Sequence, residues 1–128
     1  VPLPSDRLRD DLRRRLLAAR SGRDAPATAA LRASMAAVEN AAAPAARALD
    51  TSTPSSIAGS VEGVGTAEVP RRSLSAADVL AVVRAERDER LEYATEYERL
   101  DQAEAAADLR AEADVLTAVL AEWAAQGV

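Results

Sequence analysis

Residues 75–125 read SAADVLAVVRAERDERLEYATEYERLDQAEAAADLRAEADVLTAVLAEWAA. No Gly or Pro interrupts these residues, and the fold turns on how they are divided. Ser75 can cap a helix, and Asp78 stands where the reciprocal acid of a capping box belongs. One unbroken helix is physically allowed. The spacing predicts two, over 75–100 and 103–124. The stripe Val79, Val83, Leu91, Ala94, Tyr97 loses phase with Leu109, Ala113, Leu116, Leu120, Trp123. The second stripe has the 4-3-4-3 spacing of a packed helical hairpin. Asp101 followed by Glu104 gives a second cap signal at the division.

Working upstream, residues 50–73 change character. Three of the five glycines (Gly59, Gly63, Gly65), two prolines and many Ser and Thr fall there. A loop this long inside a small domain is uncommon. The expectation is a long flexible linker over 43–74. Its glycines run G-x-x-x-G-x-G, which is not the dinucleotide fingerprint. Before it, residues 5–20 and 25–42 read as two more helices. Ser5 caps the first, and Leu8, Leu12, Leu16 and Ala19 line one face. Gly22 marks its stop. Asp24 caps the second, Pro26 is tolerated in its first turn, and Leu31, Met35, Val38 and Ala42 form its stripe. Pro44 limits it. The predicted class is all-α: about four helices in a small bundle of two hairpins, 5–42 and 75–125, within one domain of 128 residues.

Composition narrows the chemistry. Thirty-two residues are Ala, so much of the 48% apolar content is small, and helices can approach closely. There is no Phe, one Trp (Trp123) and two Tyr (Tyr93, Tyr97). The aromatics are expected in the core or at helix contacts. All 16 basic residues are Arg. Without His or Cys there is no imidazole base, thiolate nucleophile or soft metal site, and without Lys no Schiff base or P-loop lysine. No catalytic, cofactor-binding or metal-binding residue is therefore expected, and the chain is read as a non-enzyme. No apolar run is long enough to cross a membrane. With no signal peptide and no Cys, the expected location is cytoplasmic.

Charge is uneven. Residues 1–77 carry 11 Arg against 8 acids, whereas 78–128 carry 5 Arg against 13 acids. Any nucleic-acid contact should run through the first helix and the linker end: Arg9, Arg13, Arg14, Arg20, Arg23, Arg71 and Arg72. Asp10 and Asp11 answer part of that charge locally, so a solvated face is the competing reading. Continuing the third helix's stripe from Val83 leads to Glu86 and Arg90, an i,i+4 pair in the favourable order. An internal polar network of Glu86 and Arg90 with Arg32, Asn40 and Glu112 is expected. An acid/base couple of Glu86 and Glu112 lacks any nucleophile beside it.

The order and spacing of Leu31-Arg32 and Asn40, then Glu86, Arg90, Ala94 and Tyr97, then Leu109, Glu112 and Leu116 resemble the YqeY family. That family is related to the tail of the B subunit (GatB) of the tRNA-dependent amidotransferase. The resemblance covers nearly all the chain outside 43–73. It implies an N-terminal domain of two helical hairpins, here without the family's small C-terminal helical domain. It also implies a link to tRNA, which the amidotransferase tail helps to hold.

Three functions are ordered on these grounds. The first is a non-catalytic accessory domain assisting tRNA or an amidotransferase-like enzyme. The second is a structural or protein–protein interaction module that binds no nucleic acid. The third, by family association only, is a carbon–nitrogen ligase with glutamine as amido-N donor. Partner identity and oligomeric state are left open.

Overall fold

The structure is a computed structural model and describes residues 4–43 and 72–128. Four α-helices account for nearly all of them: α1 Pro4–Ser21, α2 Ala25–Ala42, α3 Ala76–Arg99 and α4 Ala103–Ala125. Among the described residues there is no strand. The all-α bundle expected from the stripes is what forms, with each helix close to its predicted bounds.

The helix ends follow local chemistry. Asp24 Oδ1 accepts from the Ala27 N–H at 3.1 Å and starts α2. Ser75 and Asp78 complete the reciprocal capping box of α3, at 3.1 and 2.9 Å. Ala43 caps α2 in an extended conformation (φ −64, ψ 145), the geometry that Pro44 imposes on the residue before it.

Among the described residues, both turns that join successive helices are Schellman motifs. At the first, Asp24 N–H donates to Ala19 O and Arg23 N–H to Arg20 O. At the second, Gln102 N–H donates to Tyr97 O and Asp101 N–H to Glu98 O. The left-handed position is filled by Arg23 (φ 56) and Asp101 (φ 58) rather than by glycine. Gly22 directly follows α1, as its stop signal predicts, and precedes the left-handed residue. The cap expected at the division is corrected. Asp101 ends α3, while Gln102 begins α4 without a side-chain cap. Ser5 also does not cap α1; it is buried within the helix.

The core joins all four helices. Leu8, Leu12 and Ala19 of α1 meet Ala27, Ala30, Leu31, Val38 and Ala42 of α2. Leu74 with Val79, Leu80 and Val83 of α3, and Leu116, Val119, Leu120 and Trp123 of α4, complete it. These are the first third of α3 and the second half of α4. Beyond them the α3–α4 pair buries only Ala94, Ala106 and Ala113, outside that core. A helix of 24 residues is about 36 Å long and one of 18 about 27 Å, so the pair continues past the core as a two-helix arm. Leu91, expected on the α3 stripe, is exposed.

The expected linker falls mostly on residues 44–71, outside the described residues. Its edges are packed, however. Leu74 is buried in the core, and the Arg72 N–H donates to the Ala42 carbonyl at 2.9 Å. Residues 72–74 therefore belong to the bundle rather than to a linker. No helix of the described residues is long and apolar enough to cross a membrane.

Candidate functional site

The arginines of α1 sort by partner. Arg13 pairs with Asp10 at 2.9 Å and Arg14 with Asp11 at 3.0 Å, both by one helical turn. Arg15 lies between Asp11 (2.6 Å) and Glu122 of α4 (2.9 Å). Arg9 is half-buried, with its Nε enclosed and without a hydrogen-bond partner. Of the α1 arginines expected to meet nucleic acid, Arg13 and Arg14 are thus neutralised locally and Arg9 is partly covered. Arg71 is outside the described residues, and Arg72 is exposed at the start of the segment leading into α3.

Towards the end of α1 the picture changes. Arg20 from the last turn of α1, Arg23 at the left-handed turn position and Arg32 from α2 line one open depression. Thr28, Ala25 and Ala29 complete its wall. Among the described residues none of the three guanidiniums has a carboxylate or other side-chain partner. The Schellman turn brings them together: it reverses the chain between Arg20 and Asp24, so α2 returns with Arg32 on the same side. Charge of one sign in a concave patch concentrates counter-anions.

The internal network is real but differently composed. Arg90 donates from Nε to Glu112 Oε1 at 2.9 Å, and from Nη1 to Glu86 Oε1 and the Glu86 carbonyl, both at 3.0 Å. Its side chain is 12% exposed. Burial alone would lower the Arg90 pKa, but the bonds to Glu112 and Glu86 outweigh it and hold the charge more firmly than water would. Arg32 and Asn40 do not join this network. Both face solvent, because they sit beside the α2 stripe rather than on it. The polar group that α2 does bury is Ser34, whose hydroxyl has no partner. Glu86 and Glu112 are thus acceptors for one guanidinium, which leaves no free acid/base couple between them.

A second joint was not legible in the sequence. Trp123 is buried, and its Nε1 donates to Asp11 Oδ2 at 2.8 Å. Burial pushes the Asp11 carboxyl up. Bonds from Arg15 and Trp123, with the charges of Arg15 and Arg14, outweigh that and bring its pKa below the ordinary value. An aromatic at the end of a stripe signals core. The acceptor its indole reaches on another helix carries no sequence signal.

Tyr93 departs from the expected core position: it is 53% exposed on α3, beside Glu89, Glu92 and Glu96. Among the described residues no group of acids could hold a metal ion. No protein-family model, curated protein or solved structure matches the chain.

Proposed function

We propose that this chain is a non-catalytic accessory domain that holds the phosphate backbone of tRNA, as its resemblance to the YqeY family implies. One observation carries the reading: Arg20, Arg23 and Arg32 share one open depression, with no carboxylate among the described residues to neutralise them. Unpaired guanidiniums in a fixed array suit phosphate oxygens, and each contact releases a condensed counterion. The acidic second hairpin is excluded from such contact by its own charge.

The test is a tRNA titration at 50 and 200 mM salt, comparing wild type with Arg20→Gln/Arg23→Gln/Arg32→Gln. Three phosphate contacts weaken wild-type binding about 40-fold across that range. The triple variant should lose affinity and most of the salt slope, whereas Arg13→Gln/Arg14→Gln should change little. Absence of wild-type binding at 50 mM would sink the reading. An interaction module without nucleic-acid binding would then take its place. That second reading is favoured by the exposure of Leu91, Tyr93 and Leu100 on the α3–α4 arm.

A further inference from the structure

One face of the arm gathers carboxylates around an exposed aromatic ring. Glu89, Glu92, Tyr93 and Glu96 occupy positions i, i+3, i+4 and i+7 of α3 and line one shallow surface. Like charges at these spacings repel and weaken a helix. Of the arginines nearby, only Arg99 relieves one of these carboxylates. Arg87 bonds Asp88 and Arg90 is held by Glu86 and Glu112. Arg99 reaches only Glu96, at 3.1 Å. Glu89 and Glu92 are left without a partner among the described residues.

Amid these carboxylates stands the half-exposed ring of Tyr93, and Tyr97 and Leu100 continue it at i+4 and i+7. Leu100 is 58% exposed. A charged face kept only for solubility needs no such apolar seam. An aromatic ring flanked by uncompensated carboxylates accepts a guanidinium or ammonium over its face and repels anions. Residues 84–114 carry 5 Arg against 11 acids, so the whole arm favours the same sign of partner.

We propose that the Glu89–Glu92–Tyr93–Glu96 face docks a basic amphipathic segment of a partner protein. An Arg or Lys of that segment sits on Tyr93 between Glu89 and Glu92, and its apolar side lies along Tyr97 and Leu100. This goes beyond tRNA holding and stands whether or not RNA is bound at the α1–α2 turn.

The probe is a synthetic amphipathic peptide of about four helical turns, with Arg on one flank and Leu on the other, measured against the full chain by fluorescence anisotropy. Its twin carries Gln in place of Arg. The Arg peptide should bind and the Gln twin should not. Glu89→Gln/Glu92→Gln should weaken binding about tenfold, the loss of two charge contacts. Tyr93→Ala keeps every charge and should still weaken binding roughly 3- to 20-fold. Backbone amide shifts on titration should centre on residues 89–100.

Unchanged affinity in Tyr93→Ala would reduce the effect to general charge attraction and overturn the proposal. So would shifts centred elsewhere. A dimer that Tyr93→Ala dissociates in sedimentation would assign the face to a second copy of the chain instead. Tyr93→Ala should leave the tRNA titration unchanged, and the triple arginine variant should leave peptide binding unchanged. Failure of one proposal is therefore distinguishable from failure of the other.

Discussion

The indole of Trp123 donates to the carboxylate of Asp11 at 2.8 Å, linking the end of α4 to the middle of α1. The same carboxylate oxygen takes Arg15 Nε, and Arg15 reaches on to Glu122, one residue before the tryptophan. The two hairpins are thus stitched by polar atoms at the margin of an aliphatic core.

Asp11 should make this joint pH-dependent. Its folded pKa lies below the unfolded value, near 3.9, so its contribution is complete well above pH 4 and is lost as pH falls through the folded pKa. Asp11→Asn keeps an acceptor for Trp123 but loses the charge that Arg15 and Arg14 need. At pH 7 it should cost about 1–2 kcal/mol in urea unfolding followed by Trp123 fluorescence. The gap between wild type and variant should close towards pH 2.5. An equal gap at both pH values would show that the charge contributes nothing.

Arg90 has two carboxylate partners, so removing either leaves the other. Glu86→Ala and Glu112→Ala should each cost about 1 kcal/mol. The double variant strands a mostly buried guanidinium and should cost about 3–5 kcal/mol, more than the sum. Glu98→Ala, which breaks the exposed pair with Arg110, should cost under about 0.5 kcal/mol. Additive losses in denaturant titrations would mean that Arg90 finds water when one partner goes.

Asp101 sits at φ 58, where L-residues are strained. Asp101→Gly should raise stability by about 0.5–1 kcal/mol, visible as a melting temperature higher by about 3 °C or more. Arg23→Gly should stabilise the fold likewise and weaken tRNA binding at the same time. A lower melting temperature in both would show that these side chains support their turns.

The sequence carried the helices because their signals are local. Ser75 and Asp78 are three residues apart, Asp24 lies one turn from the amide it caps, and the Leu116–Leu120–Trp123 spacing repeats within one helix. Glu86 and Arg90 were legible for the same reason. Arg32 and Asn40 were misplaced because their assignment needed the rotation of α2 about its axis. Ser34, not Met35, faces fully inward, and that choice is made by packing against three other helices. The Trp123–Asp11 bond spans 112 residues, and the Arg20–Arg23–Arg32 cluster depends on a turn whose left-handed residue is not glycine. Neither leaves a pattern in the linear order.

The Arg72 N–H is bonded to the Ala42 carbonyl. The end of α2 and the segment that enters α3 meet at the main chain, as they would across a tight reversal. One backbone hydrogen bond thus ties two residues thirty positions apart in the chain. It holds the exit from α2 beside the entry to α3, so the two hairpins share a main-chain clasp as well as a core.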